Sequence, residues 1–585
     1  MAIFQYKDDE ALGTVLSVDT ATVVIKVADI DKLRRMQVNR LIVLQSSKSG
    51  QHLIGLVQKI TRSSTEKEQT GEKEADEIEI PVLSFQLNLV RASLIGTLID
   101  KVGTKENVFR RTLETVPEID AKCFAVEGDV LTSFMRVIAN VPGEGQKLSL
   151  GHYTLDESAE AYLNGNKFFQ RHAVIVGSTG SGKSWTTARV LEQAAMLPSV
   201  NSLVFDVHGE YTPLTGDGIK HYRVAGPGDL GNNKGLADGI LYLPFWLLGY
   251  EALISMFVDR SDQNAPNQAM IIARTVVQMK RNFLEANKQK ELLENFTIDS
   301  PVPFSMDALL AELNKLNEEM KPGARAGSEK QGDFYGKLSR MIARLENKRT
   351  DRRLGFLFQS PQETDQLSWL GDVSRTLLAG TSQQLNKKGG IKIIDFSEVP
   401  SDVLPLIVSL IGRLVFSLQQ WTVREKRHPI ALFCDEAHLY IPERAEGDAA
   451  SEVSMRIFEK IAKEGRKYGV GLVVISQRPS EVNHTVLSQC NNLVTMRLTN
   501  AEDQSVVRRL LPDTLGGFSD VLPILDTGEA LVVGDASLLP SRVRIQEPSA
   551  KPNSGTVDFW DKWLEGGYKN GIKEAVTAWR KQNLQ

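Results

Sequence analysis

The segment from Gly177 to Ser184, Gly-Ser-Thr-Gly-Ser-Gly-Lys-Ser, holds phosphate-binding chemistry at fixed spacing and satisfies G-x-x-x-x-G-K-[ST]. Gly177, Gly180 and Gly182 let backbone N–H groups curl around phosphate oxygens where a Cβ would clash. Lys183 has the reach for β- and γ-phosphates, and the Ser184 hydroxyl suits Mg²⁺. Ser178, Thr179, Ser181 and Trp185 complete the expected nucleotide-binding stretch. An apolar strand, Ala173 to Val176, precedes the loop and a helix-forming run follows, so a nascent helix dipole adds to the anion site. The ligand expected here is ATP with Mg²⁺.

A second group lies in "PIALFCDEAHLY". Four apolar residues and Cys434 form a strand, and Asp435 and Glu436 follow at its C-terminal end, where open α/β sheets present ligands. Asp435 suits Mg²⁺ bound through water, and Glu436 suits orienting and deprotonating the attacking water. The plainer alternative is an acidic strand end that caps the next helix. The letters D-E-A-H suggest a two-lobed helicase, but only residues 437–585 follow and residues 185–434 separate the two motifs. One lobe leaves the nucleotide half open, so the facing surface is expected from another subunit. "VVISQRPSEV" ends a strand on Ser476 and Gln477, where the amide either senses the γ-phosphate or makes a strand-end hydrogen bond. "IAKEGRKYGV" places Glu464, Arg466 and Lys467 at a helix end. Arg466 is either a finger reaching the neighbouring subunit's nucleotide or part of a salt-bridged surface. In "FDVHGEY", Asp206 and Glu210 are further candidates for Mg²⁺ or water, whereas His208 lacks a partner at metal spacing.

These groups need an α/β scaffold. Residues 1–100 alternate apolar and polar residues in short Val/Ile-rich runs, which predicts a small β-barrel. The charged stretch "TRSSTEKEQTGEKEADE" within it reads as an exposed loop. Residues 101–165 form a connector. Residues 166–248 and 354–545 read as two parts of one P-loop ATPase core, divided by a helical insertion at 249–353 where apolar residues recur every three or four positions. A C-terminal extension, 546–585, has a Pro/Ser/Gly linker and a helix with Trp560, Trp563 and Trp579.

The length of 585 residues calls for several domains, and a net charge of −4 confines any nucleic-acid site to a local basic surface. Cys123, Cys434 and Cys490 are scattered, as reduced core cysteines of a cytoplasmic protein would be. The N-terminus lacks a signal-peptide pattern. The most apolar run, "LYLPFWLLGYEALISMFV", is broken by Pro244, Gly249 and Glu251, so no membrane span is expected. Two basic stretches could meet phosphates: "KLSRMIARLENKRTDRR", which includes Arg349 and Arg352, and "QLNKKGG", with Lys387 and Lys388. The first reads equally as a solvated or intersubunit face.

Taken together, "GSTGSGKS", "FDVHGEY", "LPFWLL", "IKIIDFSEVP", "FCDEAH" and "AKEGRKYGVGLVVISQRPSEV" resemble the HerA branch of the HerA–FtsK superfamily, in that family's order. The resemblance implies a RecA-like P-loop core behind a HerA-type barrel. It also implies a homohexameric ring around double-stranded DNA, ATP-driven translocation or helicase action, and a partner nuclease or sirtuin-like effector, in DNA processing or antiviral defence. By position it assigns Lys183, Ser184, Asp435, Glu436 and Gln477 to one subunit's site and Arg466 to its neighbour's. Arg171 is a further candidate for nucleotide contact. A ring scaffold that regulates an effector, and a conjugation- or secretion-type ATPase, are the alternative functions.

Overall fold

The computed structural model describes residues 3–65, 85–139, 147–154, 156–232, 234–322, 328–378, 390–445, 448–511, 513–537, 539–555, 557–564 and 571–582. The chain forms two compact units. The first comprises Met1–Phe168, Ala173–Val190 and Asn491–Pro548; the second comprises Phe169–His172, Leu191–Cys490 and Ser549–Gln585.

The first unit opens with seven strands: β1 (Gly13–Asp19), β2 (Thr22–Lys26), β3 (Leu41–Gln45), β4 (Gln51–Thr65), β5 (Phe85–Val102), β6 (Lys105–Arg110) and β7 (Lys122–Ala125). Their order is β2-β1-β7-β3-β4-β5, and a β2–β5 pairing closes the ring, with β6 added outside on β5. Closure removes the exposed edges that short strands leave open to wrong partners. Val15, Val23, Ile25, Ile42, Leu44, Leu53, Val57 and Val90 fill the interior. The barrel therefore does not end near residue 100. β7 completes it by pairing with both β1 and β3, and it places the buried Cys123 in the core. The rest of the expected connector is also ordered: a helix at Gly128–Ala139 and a hairpin of Leu148–Tyr153 with Asp156–Leu163. β4 runs through Thr65, so the start of the charged stretch is strand, and residues 66–84 lie outside the described residues.

That hairpin borders a second sheet of the same unit, ordered Ala173–Val176, Asn492–Thr495, Glu529–Gly534, Ser541–Ile545, Leu148–Tyr153 and Asp156–Leu163. Its first pair is parallel and the rest are antiparallel.

The second unit is built on a parallel sheet ordered Ile240–Leu241, Ile219–Val224, Ile391–Asp395, Ser202–Asp206, Ile430–Cys434 and Val470–Ser476. The last two strands are buried at every residue, as apolar runs covered on both faces must be. The helix Leu404–Trp421 packs on Ala449–Tyr468; a Cβ at Gly412 would lie 3.3 Å from Ile457, so the small residue sets the approach. Among the described residues, Leu404–Trp421 is the one helix long and apolar enough to cross a membrane, and most of it is buried within this unit. Between the strands ending at Leu241 and beginning at Ile391 the chain is mainly helical, with Tyr250–Phe257, Ala265–Ala286, Met306–Glu318, Ser339–Thr350 and Leu367–Leu378. The tail carries two short helices rather than one, Phe559–Leu564 with Trp560 and Trp563, and Ile572–Lys581 with Trp579.

Candidate functional site

In the first unit, the buried strand Ala173–Val176 ends in the glycine loop, and a helix begins at Lys183. Gly180 and Gly182 have φ of 72° and 110°, which L side chains rarely adopt. A Cβ at Gly182 would stand 2.8 Å from the Met496 methyl, so packing as well as backbone conformation demands glycine there. The loop is held from outside by Ser178 N donating to Arg497 O at 2.8 Å and Gly528 N donating to Ser181 O at 2.9 Å. Lys183 is buried and its Nζ donates to Ser178 O at 3.3 Å, which curls it over the loop. The Ser181 hydroxyl is buried without a hydrogen-bond partner. An orphaned donor at the mouth of a helix N-terminus fits an incoming phosphate oxygen. Ser184 and Trp185 are half-buried and Thr179 is exposed.

In the second unit, the acidic groups stand at the C-terminal ends of adjacent parallel strands. Asp206 accepts Glu210 N and Tyr211 N, each at 2.9 Å, one on each oxygen. Burial, with the charges of Asp395 and Glu210 adding to it, pushes its pKa up to about 6 against these hydrogen bonds. Its main task is therefore to cap the turn after its strand. Asp435 is fully enclosed, and burial, then the charges of Glu436, Glu210 and Asp206, raise it well above the usual carboxylate range.

Glu436 has φ 43° and ψ 47°, a left-handed conformation that costs a non-glycine residue about 1–3 kcal/mol. The surroundings hold it there: Leu439 N donates to Glu436 O at 2.9 Å, and the buried Tyr440 hydroxyl donates to Asp435 O at 2.8 Å. Gln477 Nε2 donates to Glu436 Oε1 at 2.6 Å. Oε2 is buried and accepts no hydrogen bond; His438 Nδ1 stands 3.3 Å away, close enough for an ion pair but without hydrogen-bond alignment. Burial lowers the His438 pKa, against the opposing charges of Glu436 and Glu481.

Asp206, Glu210, Asp435 and Glu436 form no ion pair with lysine or arginine among the described residues. Concentrated carboxylate charge without a cationic partner fits a divalent cation. No three acidic, His or Cys side chains among the described residues converge as a cage.

Arg466 lies in the last turn of Ala449–Tyr468, exposed and without an ion pair among the described residues. Arg171 is also exposed. Of the basic candidates, Lys387 and Lys388 lie outside the described residues. Arg349 pairs with Asp307, and Arg352 donates to Pro227 O at 2.9 Å. Both make contacts within the chain. The helix Ser339–Thr350 instead presents Arg340, Arg344 and Lys348 at four-residue spacing beside an open concavity; Arg344 and Lys348 make no ion pair among the described residues. His438 and its contact with Ser476 escaped the sequence reading, although the fourth letter of D-E-A-H marked the position.

Two family models match the chain in succession: Helicase HerA, central domain, over residues 148–415, and Helicase HerA-like C-terminal, over residues 407–549. The DNA double-strand break repair helicase HerA of Sulfolobus acidocaldarius is 24% identical over 415 residues, spanning 70% of this chain and 71% of that protein. Its namesake from Pyrococcus furiosus is 26% identical over 455 residues, spanning 71% and 74%. With the loop chemistry above, these matches make the chain an ATP-hydrolysing enzyme. The chain belongs to the HerA family.

Proposed function

We propose that this ATPase is a motor that moves along double-stranded DNA as a homohexameric ring, with Mg²⁺ and with a nuclease or other effector as partner. The observation that carries the reading is Glu436, a buried carboxylate with one oxygen left to accept a proton. A ring that served only as a scaffold would need no such base. The helicase names of the relatives point to DNA as the track.

In this reading the Gly177–Ser184 loop binds the phosphates of ATP, and Lys183 neutralises charge on the β- and γ-phosphates. Ser184 and Asp435 are the residues that would hold Mg²⁺, which would supply charge neutralisation on the phosphate oxygens. Glu436 takes a proton from water as the water oxygen attacks the γ-phosphorus; the bond to ADP breaks, and ADP and phosphate leave. Arg466, exposed at its helix end, stabilises the neighbouring subunit's transition state. Arg340, Arg344 and Lys348 contact DNA phosphates without reading sequence.

The test is displacement of streptavidin from a biotinylated duplex end. Displacement that requires ATP and is lost in Lys183→Ala supports the motor. DNA binding and ATP hydrolysis without any displacement would contradict it.

A further inference from the structure

We propose that Arg497 binds the γ-phosphate of ATP in its own subunit, as a second side-chain cation beside Lys183. The inference rests on the reading that the Gly177–Ser184 loop holds ATP. Arg497 follows the strand Asn492–Thr495, which runs parallel to the strand leading into the loop, with Thr495 opposite Val176. The pairing continues past both strands: Met496 N donates to Val176 O at 2.7 Å, and Ser178 N donates to Arg497 O at 2.8 Å. Arg497 therefore stands beside Ser178, within the same compact unit.

The two residues after the strand are put to different uses. Buried Met496 fills the hollow under the loop: its Cβ would stand 2.8 Å from a Cβ at Gly177, its methyl 2.8 Å from one at Gly182, and its sulfur accepts Thr186 Oγ1 at 3.4 Å. The next side chain of an extended segment faces the other way, so Arg497 takes no part in that packing. It is half-buried, and its guanidinium has no hydrogen bond or ion pair among the described residues. Donors left without partners in a half-dry place call for an anion. The helix end of the loop, at Lys183 and Ser184, offers backbone N–H groups to the inner phosphates. At the opposite end Ser178 N is already given to Arg497 O, so that amide is not available to the γ-phosphate. Lys183 Nζ, the group that reaches for the outer phosphates, rests on Ser178 O at 3.3 Å. Lys183 and Arg497 thus meet Ser178 from two sides. A planar fork beside a point charge can hold two oxygens of one phosphate.

The experiment measures the affinity of the full chain, with Mg²⁺, for ADP and for an imido-bridged, non-hydrolysable ATP analogue by calorimetry, together with kcat and KM for ATP. The variants are Arg497→Gln, Arg497→Lys and Lys183→Ala. Both Arg497 variants keep the backbone bond to Ser178, and the melting temperature without nucleotide checks their fold. Arg497→Gln should weaken binding of the analogue about tenfold or more, as loss of a charge-assisted hydrogen bond does, and binding of ADP less than about threefold. KM for ATP should rise in step with the analogue's dissociation constant, and the nucleotide-free melting temperature should not change. Arg497→Lys should recover part of the loss, because the charge is kept and the fork is not. The two nucleotides differ only at the γ-phosphate, so a merely structural role would weaken both alike. An equal loss for both, or no loss for either, overturns the contact while leaving the loop assignment intact. Slower turnover with unchanged affinities overturns it in favour of a role in hydrolysis alone. Wild-type affinity for both nucleotides in Lys183→Ala overturns the loop assignment and the inference together.

Discussion

The side-chain amide of Gln477 donates to Oε1 of Glu436 at 2.6 Å, tying the residue after one core strand to the acid beyond the neighbouring strand. This bond sets the orientation of the carboxylate before any nucleotide arrives. Gln477→Ala should lower kcat about tenfold with ATP affinity nearly unchanged, since positioning of a general base is lost but phosphate binding is not. Gln477→Glu sets a second carboxylate against the first, and like charges raise the pKa of one of them. Its activity should fall below that of Gln477→Ala near neutral pH and recover as pH rises. A pH profile identical to wild type would contradict this geometry.

His172 is a buried base whose pKa falls to about 4, through burial first and the nearby Arg466 charge as well. Its Nε2 donates to Ala462 O at 3.1 Å and its Nδ1 accepts Leu472 N at 2.9 Å, so the neutral ring is bonded on both sides. The unfolded chain binds a proton below about pH 6.5, while the folded chain resists until about pH 4. Stability should therefore be complete above pH 6.5 and fall as pH drops through this window, by a contribution on the order of 3 kcal/mol. His172→Asn suits the left-handed backbone there, φ 54°, and cannot titrate. Its melting temperature should be lower at pH 7.5 but less sensitive to acid between pH 6.5 and 4. Parallel pH curves for the two proteins would contradict the assignment.

Arg466→Ala rings should assemble and hydrolyse ATP slowly. Lys183→Ala subunits lose nucleotide binding but keep the finger. Once subunit exchange is shown by mass spectrometry of differently tagged rings, mixing the two variants should restore activity, because some neighbours pair an intact loop with an intact arginine. No gain despite exchange would contradict action across subunits.

Charge reversal at Arg344 and Lys348 should weaken duplex binding equally for unrelated sequences. It should also reduce the slope of log affinity against log salt by about 2, close to one unit for each phosphate no longer neutralised. Reversal at Arg349 should act mainly on stability, through its pairing with Asp307. An unchanged slope in the first variant would remove this helix from the DNA surface.

The phosphate loop was legible because glycine spacing and backbone conformation are the same demand, seen at Gly180 and Gly182. Asp435 and Glu436 were legible because an apolar run buried on both faces must end where polarity begins. The approach of His438 to Glu436 was not, since nothing about a glutamate announces the left-handed turn that brings residue 438 back to 436. β7 is four residues long and pairs with β1 through two of them, too short for alternation to show. The polar end of β4 is strand because β5 supplies its hydrogen bonds, with no apolar face to betray it. Arg349 and Arg352 find Asp307 and Pro227, partners far along the chain that helical spacing alone cannot reveal.

The central claim, a DNA-driven ATPase with Glu436 as its base, is tested most directly by the steady-state ATPase rate of wild type and Glu436→Gln, each with and without linear duplex DNA. Wild-type turnover should rise with DNA, while Glu436→Gln should bind Mg·ATP normally and turn over at least ~10²-fold more slowly in both conditions. A wild-type rate indifferent to DNA, or near-normal turnover in Glu436→Gln, would contradict the account.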